Sequence, residues 1–241
     1  MSDTDHTKFL QDRVILITGA GTGIGEALAK ATAQAGAVVI LLGRNIAKLE
    51  ALYDTIVAEG GPDPAIYPLN LEGATPHDFA DLAERIADEF RTLHACVHNA
   101  ALLGRPGPLA QCNPEDWAKL MQVNVNAPFL LTKACLPLLS AAHHGRLLFT
   151  LHDVNRAYWN AYGVSKAGLK AMMQIVADEV PAESNLKVFG VNPGESRSPI
   201  NLKAYPGKNY QDIRSIEALI PVYLDLLAPQ TAYANACIVD V

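Results

Sequence analysis

The stretch from Val14 to Gly25, Val-Ile-Leu-Ile-Thr-Gly-Ala-Gly-Thr-Gly-Ile-Gly, constrains this chain more than any other. An unbroken apolar run of this kind reads as a parallel strand covered on both faces. Glycines follow it, and then the start of an amphipathic helix, Glu26-Ala-Leu-Ala-Lys30. Glycine lets the backbone turn sharply, and it lets a pyrophosphate approach the free amides at a helix N-terminus. The spacing narrows the possibilities. Gly19, Gly23 and Gly25 form G-x-x-x-G-x-G, whereas the common G-x-G-x-x-G fingerprint needs a glycine where Ile24 stands. A Walker-type phosphate loop needs Lys after Gly25, and the chain has Glu26. An ordinary glycine-rich turn is the competing reading of this motif taken alone.

Composition sets the rest of the frame. Half of the 241 residues are hydrophobic and 18% are charged, so a large core is available. The net charge of −6, with no run of Lys or Arg, argues against nucleic acid or an anionic membrane as partner. Four cysteines (Cys96, Cys112, Cys135, Cys237) form no C-x-x-C pair and no metal-ligand spacing, as expected for thiols of a reducing compartment. No metal site is expected. His143-His144 lacks a second pair to complete one, and suits the negative end of a helix. The polar N-terminus, residues 1–8, does not resemble a signal peptide and is expected to be flexible. No apolar stretch has the length of a membrane span, so a soluble, cytoplasmic protein is expected.

Apolar runs and helical patterns alternate along the chain. Strands are expected at residues 14–18, 37–42, 65–69, 93–98, 145–150 and 186–191. Asn45, Thr75 and Asn113 stand where side chains cap helices, the latter two followed by Pro in the first helical position. A long helix from Ala127 to about Ala142 contains Pro128 and Pro137, and a break or kink is expected near each. Another runs from about Asn160 to Val180. Strands joined through helices by short loops imply β-α-β units and right-handed crossovers. The expected fold is α/β: a single Rossmann-like, doubly wound parallel sheet with helices on both faces, spanning residues 1–241. A dinucleotide would lie across the carboxyl ends of its strands.

A second motif is Tyr162-Gly-Val-Ser-Lys166. Positions four apart share one face of a helix, so a phenol and an ammonium can act together. A neighbouring cation, with the positive ring of an oxidised nicotinamide, would favour phenolate and bring the phenol towards working pH. A surface Tyr and Lys on an ordinary helix is the plain alternative.

Together these motifs resemble the short-chain dehydrogenase/reductase family over nearly the whole chain. Thr18-Gly19-Ala20-Gly21-Thr22-Gly23-Ile24-Gly25 is similar to its cofactor loop, and His98-Asn99-Ala100-Ala101 to its N-A-G motif. Asn124, in Gln-Val-Asn-Val-Asn126, matches the asparagine that interrupts a helix and holds the water serving the lysine. Asn192-Pro193-Gly194, with Ser198, resembles the segment that closes over the nicotinamide. His-Asn-Ala-Ala-Leu-Leu-Gly104 and Met121-Gln-Val-Asn-Val-Asn126 are most similar to the YciK-like subgroup. The resemblance implies hydride transfer between a nicotinamide cofactor and a small-molecule carbonyl or secondary alcohol, with Tyr162 as acid/base supported by Lys166 and Asn124. It also implies a homodimer or homotetramer built through the two long helices.

The end of the second strand bears on the cofactor. An NAD enzyme is expected to place an acid there for the ribose 2′-hydroxyl. This chain has Gly43-Arg44, whose guanidinium can pair with a 2′-phosphate, so NADP is expected before NAD. A solvated loop charge is the alternative. Asn70, followed by Leu71, stands where the family commonly has an adenine-contacting Asp.

One departure bears on turnover: the family's catalytic serine is absent. Counting back from Tyr162 reaches Phe149; aligning on the strand end reaches Leu151-His152-Asp153. Thr150 and His152 are the nearby groups able to donate a hydrogen bond, against a bland reading of His152 as a solvent-facing loop residue. Ala101 and Asn235 replace two further glycines common in the family. A catalytically weak or inactive dinucleotide-binding protein, acting as sensor or interaction partner, is the competing functional reading.

Overall fold

The computed structural model describes residues 8–241; the expected flexible leader falls almost wholly outside them. Seven parallel strands form one sheet in the order β3-β2-β1-β4-β5-β6-β7. They are β1 (Val14–Thr18), β2 (Val38–Gly43), β3 (Ala65–Pro68), β4 (Ala95–His98), β5 (Arg146–Thr150), β6 (Lys187–Asn192) and β7 (Ile238–Asp240). The Rossmann-like, doubly wound arrangement follows from the sequence pattern. All five residues of β1 are buried, because helices cover both faces. Strand order reverses between β1 and β4, which leaves a crevice above the carboxyl end of β1.

Alternation along β1 feeds two cores. Ile15 and Ile17 pack with α1 (Gly23–Gln34), α2 (Ile46–Ala58) and α8 (Ile220–Leu227). Val14 and Leu16 pack on the opposite face with α3 (Pro76–Phe90), α5 (Ala127–Ala141) and α6 (Asn160–Glu179). A third cluster, around Leu103, Leu120, Trp159 and Tyr162, joins α4 (Pro114–Met121) and α6 to α7 (Pro199–Ala204) through Ile200 and Ala204. It roofs the carboxyl edge of the sheet.

The caps fall where the sequence puts them. Asn45 accepts from the amide of Lys48 at 3.1 Å. Thr75 and Asp78 form a reciprocal capping box, and Asn113 accepts from Glu115 at 2.7 Å. The interruption expected near Pro128 is present, whereas no break occurs at Pro137. Residues Gln122–Asn126 form a π-helical turn between α4 and α5, just before Pro128. Pro137 lies inside α5 without ending it. Pro128 falls in the first turn of α5, where a missing amide hydrogen is tolerated, but that same lack leaves residue 124 without its usual i+4 donor. Strand β7 and helices α7 and α8 were not anticipated.

Candidate active site

Glycine loop geometry comes first. Gly19 has φ +69°, and a Cβ there would lie 2.9 Å from the Cα of Ala100. At Gly25 a Cβ would lie 2.3 Å from the carbonyl oxygen of Gly19. Neither position has room for a side chain, so α1 starts directly against the loop that leaves β1. Thr18 fastens that loop to β4. Its hydroxyl donates to the carbonyl of Val97 at 3.1 Å and accepts from the amides of Asn99 and Ala100, each at 3.0 Å. Asn99 returns a bond from Nδ2 to the Thr18 carbonyl at 3.1 Å. Thr22 at the start of α1 makes no side-chain cap, unlike Asn45, Thr75 and Asn113, so the first-turn amides keep their donors for an anion.

A cavity of about 370 Å³ runs from this loop to Tyr162. Gly19, Gly21, Thr22, Gly23, Ile24, Arg44, Asn70, Leu71, Asn99, Ala100, Ala101, His152, Tyr162, Lys166, Pro193 and Gly194 all line it. Thr18, Gly25 and Asn124 stand behind that lining as braces. Sequence reasoning missed Lys48, Glu72 and Asn201 on the same wall. Lys48 had a signal, a cation four residues after Arg44 at the start of a helix. The other two had none, since each depends on where its loop folds. Arg44, largely exposed, pairs with Glu72 at 2.9 Å. Asn70 turns its Oδ1 to the amide of Glu72 at 3.2 Å.

At the other end, Tyr162 and Lys166 are both buried on α6. Lys166 donates to the carbonyl of Thr150 at 2.9 Å, and burial draws its ammonium down to about 8. Burial pushes the Tyr162 phenol well above the ordinary tyrosine value, with Tyr205 adding to the rise; the phenolate that the sequence suggests depends also on the positive nicotinamide ring. The Lys166 ammonium, 5.9 Å from the ring centroid, does not offset this. Asn124 is buried and fully engaged. It accepts from the Leu102 amide at 2.7 Å, donates to the Leu102 carbonyl at 2.9 Å, and donates to Ser165 Oγ at 3.0 Å.

The two candidate replacements for the missing serine separate cleanly. Thr150 points its hydroxyl away, to the Tyr223 hydroxyl at 3.0 Å, and offers the cavity only backbone. His152, two residues on, faces the cavity with Nδ1 3.1 Å from the Tyr162 hydroxyl. Its ring stands edge-on to Trp159 and Tyr162, with centroids 5.3 and 5.8 Å away. The solvent-facing reading of His152 is therefore wrong. Phe149 is wholly buried in the core. Asn235 is structural, with Oδ1 accepting from Val188 and Nδ2 donating to Ala177, both at 2.8 Å. Among the described residues no cluster of His, Cys, Asp or Glu could hold a metal, and no helix is long and apolar enough to cross a membrane.

The sequence model of the short chain dehydrogenase family matches residues 13–209. This chain belongs to the short-chain dehydrogenase family. It is 42% identical over 221 residues to the oxidoreductase YciK of Escherichia coli K12, covering 90% of this chain and 87% of that one. It therefore stands with the YciK-like members. A short chain dehydrogenase from Escherichia coli CFT073, crystallised with NADPH, superposes with a TM-score of 0.93 at 40% identity, covering 97% of this chain and 98% of that one. One from Salmonella enterica serovar Typhi superposes with a TM-score of 0.94 at 38% identity, covering 98% of each. Within this family fold, α7 lies down over the glycine loop: a Cβ at Gly23 would meet Pro199 at 2.9 Å. The segment is held there by Asn201, whose Nδ2 donates to the Gly194 carbonyl and to Ser196 Oγ, each at 3.1 Å.

Proposed function

We propose that the protein is an NADP(H)-dependent oxidoreductase that interconverts a small carbonyl compound and its secondary alcohol. One observation carries this reading: a single cavity joins the side-chain-free glycine loop and Arg44 to the buried Tyr162–Lys166 pair. The residues fit a dinucleotide. Gly19 and Gly25 leave no room for side chains at the loop, and Asn201 Oδ1 is buried on the cavity wall with no donor among the described residues, as an acceptor for an amide N–H would be. Arg44 and Lys48 lie at the adenosine end, where a 2′-phosphate needs cations. The NADPH-bound relative supports the same choice.

When bound, the nicotinamide supplies hydride for reduction and takes it for oxidation. Tyr162, protonated in its buried setting, gives its proton to the carbonyl oxygen, or as phenolate takes one from the alcohol. Lys166, anchored on the Thr150 carbonyl, holds positive charge beneath that exchange and limits the cost of phenolate. Asn124 fixes the π-helical turn against Leu102 and Ser165, and its main-chain carbonyl, to which Pro128 can give no hydrogen, would be the place for a proton-carrying water. Phe129 on α5, with Val164 and Ile175 on α6, leaves apolar surface exposed, which suits a homodimer or homotetramer.

The test is titration with NADPH and NADH, followed by turnover on a panel of carbonyl compounds. Tighter NADPH binding, with turnover lost in Tyr162→Phe but binding retained, supports the proposal. Binding with no turnover in the native protein, on a panel its relatives reduce, favours instead a nucleotide-binding sensor, the reading that the missing serine motivates.

A further inference from the structure

An oxygen that gains charge while Tyr162 gives up its proton needs a second donor, preorganised and shielded from water. The hydroxyls and amides around Tyr162 are mostly committed elsewhere. Thr150 Oγ1 pairs with Tyr223. Ser165 Oγ donates to the Tyr162 carbonyl at 2.8 Å and accepts from Asn124. Ser198 caps α7, and Ser196 receives Asn201. His152 alone among these turns a ring nitrogen to the Tyr162 hydroxyl, and an atom placed to bond that hydroxyl is within reach of Nδ1 as well.

We infer that His152, through Nδ1, is a catalytic residue that holds the substrate oxygen together with Tyr162, in the place where related enzymes use a serine. This rests on the oxidoreductase reading above. The imidazole is suited to the role because it is neutral. Burial lowers its pKa to about 4, and Lys166 and Arg156 oppose protonation more than Glu195 and Asp153 favour it. A neutral imidazole has one donor and one acceptor nitrogen and exchanges them by changing tautomer. Without substrate, Nδ1 and the Tyr162 hydroxyl share one hydrogen bond whose donor the tautomer sets. With a carbonyl oxygen seated beside both, Nδ1–H and the Tyr162 hydroxyl both donate to it. As the carbon gains hydride, the oxygen takes the Tyr162 proton; the electron pair of the broken O–H bond stays on the phenolate. Nδ1–H then donates to that phenolate, and the imidazole ends the step with the hydrogens it began with. The edge-on contacts with Trp159 and Tyr162 fix the ring plane for this.

Two measurements test the inference. Variants are assayed by NADPH oxidation on cyclohexanone, benzaldehyde and 2,3-butanedione, with NADPH binding followed by fluorescence in each. His152→Ala and His152→Gln are expected to lose about 10²–10³ in kcat with binding unchanged. His152→Asn, whose amide nitrogen can fall near the Nδ1 position, is expected to recover most of that loss. Native turnover in His152→Ala, or a His152→Ser variant about tenfold faster than the native protein, overturns the inference. The two levels separate: normal turnover in Tyr162→Phe overturns the shared role of Tyr162 and His152, whereas absence of turnover in the native protein across the panel overturns the oxidoreductase reading itself. The second measurement needs neither substrate nor cofactor. In ¹⁵N-histidine spectra, His152 is expected to be neutral at about pH 6, with an Nδ1 resonance that moves in Tyr162→Phe. An imidazolium pattern, or an unmoved Nδ1, overturns the inference.

Discussion

The turns that follow β1 and β5 open onto the same cavity, yet they are built on opposite principles. After β1 the working surface is backbone. Side chains are excluded at Gly19 and Gly25, and Thr18 braces the loop from behind. After β5 the working surface is side chain, with His152, Tyr162 and Lys166 each contributing one polar atom. At Gly19 and Gly25 the backbone surface has no room for a Cβ, which would collide with main-chain atoms. A side-chain surface can exchange one donor for another, provided the new group reaches the same place. That difference leaves the glycine loop no latitude at these two positions, while the turn after β5 can present His152 as its polar group.

The largest expected effect is on the side-chain surface. Tyr162→Phe removes the proton donor that faces His152 and is expected to lower kcat by roughly 10²–10⁴ while leaving NADPH affinity within a few-fold. Stopped-flow turnover and fluorescence titration of the same preparation check it. Equal losses in both would erase the contrast between the two turns.

Gly25→Ala probes the backbone surface. Its Cβ would sit 2.3 Å from a backbone oxygen, which no rotamer change can relieve. Overpacking of this kind costs roughly 1–3 kcal/mol, so a lower melting temperature and an NADPH affinity weakened about tenfold or more are expected. Full stability with native affinity would mean that the loop is less closely set than its packing implies.

Much of this contrast was legible beforehand. Glycine spacing, the Asn45, Thr75 and Asn113 caps and the Tyr162–Lys166 interval are local signals, and local signals survive folding. What stayed hidden depends on distant chain. Strand β7 is three residues long and is strand only because β6 lies beside it. The direction of His152 follows from Thr150 turning to Tyr223, 73 residues away. Arg13 and Arg146 are buried with no carboxylate partner among the described residues and close the far edge of the sheet on carbonyls, among them those of His144 at 2.6 Å and Pro229 at 2.7 Å. No motif announces such clamps.

That far edge and β4 also make the framework sensitive to acid. His94 accepts the Val14 amide at Nδ1, and buried His98 bonds Thr132 at 2.8 Å. Burial lowers them to about 4 and about 3. Unfolded, both titrate near the ordinary 6.5, so between that value and the folded pKa the unfolded chain binds more protons and stability falls as pH falls. Urea unfolding between about pH 7 and 4 should lose up to roughly 1.4 kcal/mol per pH unit from His98, and His98→Asn should flatten the slope. An unchanged slope would assign the acid sensitivity elsewhere.

The smallest effect tests a place where the nucleotide half relies on a charged side chain. Arg44 is tied to Glu72 at 2.9 Å, with Asn70 Oδ1 holding the Glu72 amide. A 2′-phosphate at Arg44 would have to share the guanidinium with that carboxylate or displace it, and the carboxylate also repels it. Exposed ion pairs contribute little, about 0–1 kcal/mol, so the competition is mild. Glu72→Gln should therefore tighten NADPH by only a few-fold and leave NADH unmoved, whereas Arg44→Ala should weaken NADPH by about tenfold or more. The gain should shrink as salt is raised, since both charges face water. If Glu72→Gln instead weakened NADPH, the carboxylate would be orienting Arg44 rather than competing for it, and the adenosine end would depend on side-chain placement as much as the turn after β5 does.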